Sequence, residues 1–150
     1  LQVRRGFDRV VVQRVQSHHS LGYNLQIGQR LPLHLGAAGK LLCAAMPPEE
    51  MDQFLSQIRD VRRTGGEVLS IEQFLTELDG IRNQGHAVSR GEREAGVVSI
   101  AAAVSKPGGG VLAVTAITGP AHRMSEQKIE QLSWEVRQAA QAIGAAYARV

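Results

Sequence analysis

A chain of 150 residues buries most of its surface in one core without metal or disulfide staples, and 43% hydrophobic with 21% charged residues excludes a disordered or fibrous protein. No apolar run reaches the roughly 20 residues of a membrane helix, the opening LQVRRGFDRVVVQ lacks a signal-peptide core, and Cys43 is a single cysteine, so a cytoplasmic, reducing location is expected. The net charge of +3 comes from basic residues scattered from Arg4 to Arg123, which argues against a DNA-binding stripe.

Residues 9–15, β-branched between polar flanks, and residues 22–28, alternating apolar with small or polar, predict two strands joined by the polar turn 16–20. The adjacent His18 and His19 in that turn are expected to be solvated rather than metal-bound. Residues 36–46 are rich in helix formers and closed by Pro47 and Pro48, and Pro48 opens a second helix over 49–59 with Met51, Leu55 and Ile58 on one face. After a charged loop over 60–69, Ser70 and Gln73 form a capping box ahead of Ile71, Phe74, Leu78 and Ile81, and Gly85 ends that helix.

From His86 the pattern turns to strand: 86–89, a polar turn at 90–94, then 96–104, a PGGG turn at 107–110, and 111–118 broken by Gly119 and Pro120. Ser125 caps a last helix whose apolar positions, from Ile129 through Val136 to Tyr147, recur at three and four. Hairpin connections at both ends and the lack of a βαβ rhythm predict an α+β fold, an antiparallel sheet flanked by helices.

Alternation on 97–104 puts Ser99, Ala101 and Ala103 on one side and Val98, Ile100 and Val104 on the other. With Ser105 opposite Gly110, Ser99 would face Ala116 and Val97 would face Thr118 in the next strand. Ser99, Ala101, Ala116 and Thr118 then form a patch of small side chains with two hydroxyls, covered either by a large side chain from a helix or by a small ligand. The GAAG start of the first helix offers unobstructed backbone N–H groups to an anion, although small residues there also permit close packing.

The run LPLHLGAAGK at 31–40, followed by PPEE at 47–50, resembles the start of the effector-binding domain of IclR-type bacterial transcription regulators. The stretch GHAVSRGEREAGVVSIAAAV at 85–104 is similar to that family's signature at Gly85, Ser89, Glu92, Ser99, Ile100, Ala101 and Val104. The resemblance spans nearly the whole chain. At Ser105 and Lys106, which replace the usual aromatic and acidic pair, this chain departs from it.

The resemblance implies a GAF-like domain, not an enzyme, that binds a small carboxylic or aromatic acid, forms a dimer or tetramer, and acts on DNA only through an N-terminal winged helix-turn-helix absent from these residues. It implies a ligand site at Ala37, Ala38, Ser89, Ser99, Ala101, Ala116 and Thr118, with no cofactor, no metal and no membrane partner. Some family members hold an acid at the position of Ser89, a thiol at Ser99 and a hydroxyl at Ala116, which points to a different ligand here.

Other features have plain interpretations. Cys43 among Leu41, Leu42, Ala44 and Ala45 is expected to be a buried structural thiol, and His34 a structural hydrogen-bonder. Glu92 and Glu94 could suggest an acid and base pair, yet a bracing role for Glu92 fits the turn beside Ser89. Trp134 lies off the apolar stripe of its helix and is either a subunit contact or locally packed. Two other readings stay open: a stand-alone enzyme on a similar scaffold, and a module that dimerises without a ligand.

Overall fold

A computed structural model describes residues 1–15 and 25–149. Strands β1 (Gln2–Arg5) and β2 (Asp8–Val11) pair antiparallel, and β3 (Arg30–Pro32) joins the far side of β2. Helices α1 (Ala37–Ala44) and α2 (Pro48–Leu55) follow, then a ribbon of β4 (Val61–Arg62) and β5 (Val68–Leu69), and helix α3 (Ile71–Gln84). The chain continues through β6 (His86–Arg90), β7 (Val97–Ser105), β8 (Val111–Pro120) and the long helix α4 (Glu126–Tyr147).

Six strands form one antiparallel sheet in the order β3-β2-β1-β8-β7-β6. This is the expected α+β class, and each face of the sheet has its own helices. Val98, Ile100, Ala102 and Val104 meet Ile129, Leu132, Val136 and Ala140 of α4. The opposite face, with Ala87, Ala101 and Val114, packs beneath α1 and, through it, α3. Alternation along β7 therefore sorts large side chains to α4 and small ones to α1. Ile100 and Val136, almost wholly removed from water, contribute roughly 1.5–3 kcal/mol each.

Local signals explain most helix ends. Ser70 accepts from the Gln73 N–H at 3.2 Å while the Gln73 side chain accepts from the Ser70 N–H at 2.8 Å, a complete capping box. Ser125 Oγ accepts from Lys128 N at the start of α4. Helix α2 is shorter than expected, because tight turns at Gln57 and Ile58 take over after Leu55.

The N-terminal strands differ from the sequence expectation. The strand expected over 9–15 ends at Val11, and of the one expected over 22–28, residues 25–28 form no strand and 22–24 lie outside the described residues, as does the turn 16–20 with its histidines. The partners of β2 are instead β1 and β3, whose sequences QVRR and RLP are too short and too polar to show a period of two. The loop at 60–69 holds the β4–β5 ribbon, also too short to display a pattern.

Strand β8 runs through Gly119 to Pro120 rather than stopping before them. On the side away from β7 it meets β1 only at Gln2↔Val114, so the proline lies beyond the paired stretch and removes no ladder bond there. Lys106 to Gly110 close the β7–β8 hairpin, with Lys106 N donating to Gly110 O at 2.9 Å and a bulge between Val104 and Ser105.

Candidate ligand-binding site

Register on the small-residue face aligns three hydroxyls across three strands: Ser89 lies opposite Ser99, and Ser99 opposite Thr118. Ser99 Oγ and Thr118 Oγ1 are 3.1 Å apart and hydrogen-bonded. The expected pairing of Ser99 with Ala116 is wrong by two residues, since the bulge and the wider Lys106–Gly110 turn displace β8. An even shift keeps every side chain on its face, so the patch survives with new partners.

The hydroxyl row forms one wall of a small cavity that is continuous with solvent. Of the seven residues singled out from sequence, Ala37, Ser89, Ser99 and Thr118 line it. The other three do not. Ala38 and Ala101 are buried in the core between α1 and the sheet, and Ala116 packs against that core.

Two glycines let α1 reach this position. Gly36, with φ +78°, lies against Arg9, whose Nη2 would be 3.3 Å from a Cβ at that position. A Cβ on Gly39 would be 2.4 Å from the Leu33 carbonyl oxygen, so the helix could not approach β3 as closely with any side chain there. Of the two uses foreseen for the GAAG segment, close packing is seen at Gly39, while Gly36 and Ala37 line the cavity with the Gly36 N–H already bonded to Glu92. The N-cap residue of α1 is Gly36, which has no side chain to cap the helix.

Charged groups missed in the sequence lie behind the wall and hold its Glu92 in place. All eight residues of α1 are buried, Lys40 among them, and Lys40 Nζ reaches Glu92 at 2.5 Å and Glu77 at 2.8 Å. Arg63 bridges the same two carboxylates at 3.5 Å and 2.7 Å. Glu92 also accepts from the Gly36 N–H at 2.9 Å, which ties the polar turn to the start of α1. So engaged, Glu92 is a brace rather than a free acid or base.

Arg9 is 5% exposed and lines the cavity. It donates to Gln2 Oε1 at 2.5 Å and to the carbonyls of Pro32 and Leu35 at 3.2 Å each. Burial, with the like charge of Arg93, lowers its guanidinium to about 10, which leaves it cationic at neutral pH. Leu25 and Val97 are apolar lining residues, whereas Gln2, Arg93 and Glu94 make the remainder polar. A sequence signal for Arg9 did exist, a single arginine amid the β-branched run at 9–12, but scattered basic residues concealed it.

Cys43 is wholly buried, and burial pushes its thiol up to about 12, as suits a structural residue. His34 lies outside the cavity lining, its ring centroid 6.3 Å from that of Phe54. Trp134 is 58% exposed on α4, so local packing leaves most of it uncovered. Among the described residues no group of three or more His, Cys, Asp or Glu is placed to hold a metal ion, and no helix is long and apolar enough to cross a membrane.

The family model for the C-terminal region of the bacterial transcriptional regulator IclR matches residues 1–145. The HTH-type transcriptional regulator KdgR of Escherichia coli is 32% identical over 136 residues, covering 91% of this chain and 52% of that protein. A putative transcriptional regulator from Rhodococcus sp. RHA1 superposes with a TM-score of 0.92 at 29% identity, covering 99% of this chain and 60% of the other. The inducer-binding domain of the PobR transcription factor from Acinetobacter, a double mutant in complex with 3-hydroxybenzoic acid, superposes at 0.82 with 25% identity, covering 95% and 85% of the two chains. The chain spans 38–53% of the length of curated relatives that it matches.

Proposed function

This chain belongs to the IclR C-terminal family of bacterial transcriptional regulators, and from that premise we propose that it is the regulator's effector-binding and oligomerisation domain, taking a small carboxylic acid in the cavity beside Ser99. The observation that carries this proposal is the convergence of Ser89, Ser99 and Thr118 and the Ala37 start of α1 on one solvent-connected cavity. A carboxylate there accepts hydrogen bonds from a serine or threonine hydroxyl and from the Ala37 backbone, while its body lies along the strands. Hydrogen bonds to a charged group contribute roughly 1.5–3 kcal/mol each. The acid bound by the PobR domain, a structural relative, agrees with this choice of ligand class.

Binding acts on transcription only by favouring one subunit arrangement over another. In this proposal the domain works as a dimer or tetramer in the cytoplasm, Trp134 is a candidate subunit contact, and an attached winged helix-turn-helix touches DNA. An enzymatic role has little to work with, since Glu92 is held by Lys40, Arg63 and the Gly36 N–H.

The test is thermal unfolding against a panel of small carboxylic and aromatic acids, for the wild type and for Ser99→Leu, with circular dichroism to establish that the variant is folded. A rise in melting temperature with one acid, lost in Ser99→Leu, supports the proposal. No rise with any member supports a module that only oligomerises.

A further inference from the structure

We infer that Arg9 is the charge-selecting residue of this cavity, the side chain that makes it prefer a carboxylate over a neutral ligand of the same shape. This rests on the proposed effector site and adds a residue to it that lies on neither the small-residue strands nor the helix start.

Arg9 projects from β2 into the cavity wall while 95% of its surface is withdrawn from water, by the complement of its 5% exposure. Its three hydrogen bonds all go to neutral acceptors, the Gln2 amide oxygen and two backbone carbonyls. A guanidinium has five N–H donors, so one on each terminal nitrogen remains beyond those bonds. Among the described residues no carboxylate lies within ion-pair distance of it. Buried cations ordinarily have an anion beside them, because an uncompensated charge in the interior is costly.

The surroundings reinforce this. The guanidinium lies against Gly36 at the start of α1, where the N-cap N–H is already taken by Glu92. Arg93 acts on Arg9 as a like charge and Glu92 as an opposite one, and both line the same cavity. Of the two acids in the lining, Glu92 is committed to Lys40, Arg63 and Gly36, and Glu94 pairs loosely with Arg93 at 3.8 Å with its side chain 56% exposed. Cationic side chains from β2 and from the turn after β6 therefore face one space, and a planar anion able to accept the two spare Arg9 N–H donors is the ligand that balances them.

The test uses formate as the smallest carboxylate, formamide as its neutral counterpart, and chloride at equal ionic strength. The 150-residue chain is melted in each, as wild type, Arg9→Gln and Arg9→Lys. Formate should raise the wild-type melting temperature above the chloride control while formamide does not. Arg9→Gln should raise the half-saturating formate concentration at least tenfold, and Arg9→Lys should retain most of the effect. A response of Arg9→Gln equal to that of the wild type overturns the inference and leaves the effector site standing, as does equal stabilisation by formamide. Should Arg9→Gln fail to fold, the comparison of formate with formamide in the wild type and in Arg9→Lys still decides. No difference between formate and chloride in the wild type also overturns it. The effector reading then stands or falls separately, on whether other ligands stabilise the wild type and are blocked by Ser99→Leu.

Discussion

Replacing Lys40 with methionine isolates the buried ion network, because methionine matches the length of the stem and removes only the ammonium. Lys40 is 1% exposed, and its loss leaves Glu92, itself 5% exposed, with Arg63 at 3.5 Å and the Gly36 N–H at 2.9 Å. Removing one partner of a buried pair costs ~3–5 kcal/mol, since the other charge remains in the interior. Arg63 and the partly solvated Glu77 soften the effect here, so the lower end, about 3 kcal/mol, is expected. For a domain of this size that corresponds to a fall of roughly 6–12 °C in melting temperature. Urea unfolding followed by circular dichroism measures it. Adding Glu92→Gln, which removes the stranded charge but keeps an acceptor for Gly36, should restore part of the loss. A cost below about 1 kcal/mol, or strict additivity of the two changes, would refute this account of the network.

Gly39→Ala should destabilise by about 1–2 kcal/mol, as the strain of a Cβ at 2.4 Å from the Leu33 carbonyl exceeds the gain in helix propensity. Gly80→Ala in α3, with nothing within 4 Å of the added Cβ, should stabilise by ~0.5–1 kcal/mol in the same urea assay, and identical signs would contradict the packing argument. Cys43 should resist iodoacetamide at pH ~8 until the chain unfolds, because its buried thiol is raised to about 12; alkylation of the native protein at the rate of a free thiol would contradict this. Burial lowers His34 below its ordinary 6.5, so the unfolded chain takes up that proton first and stability falls as pH drops below 6.5. His34→Gln should flatten that decline, and an unchanged pH profile of unfolding would assign it to other groups.

The sequence made the faces of β7 legible because Val98, Ile100 and Val104 fall on one side and Ser99, Ala101 and Ala103 on the other along one unbroken strand. The Ser70 box and the helix after Ser125 were legible for a similar reason, each being set by contacts within a few residues. Strands β1 and β3 were not, because segments of four and three residues are held in the sheet by partners far along the chain. The same distinction governs the site. Ser99 and Thr118 follow from strand alternation, whereas Lys40, Glu92 and Arg9 acquire their roles largely from groups 23 to 56 residues away. A lysine four residues after Gly36 looks like a solvated helix residue until the helix proves to have no solvated side.

The β7–β8 hairpin offers something practical. Lys106 to Gly110 are exposed, three successive glycines there have positive φ, and the turn lies at the opposite end of β7 from Ser99, roughly 20 Å along the strand. An inserted fluorescent reporter or affinity peptide between Gly108 and Gly109 would therefore sit clear of the cavity and of both cores, at the kind of loop tip that accepts added chain. Strand β8 begins at that tip and ends beside the hydroxyl row, so such a label would provide a vantage point on ligand occupancy without touching the ligand.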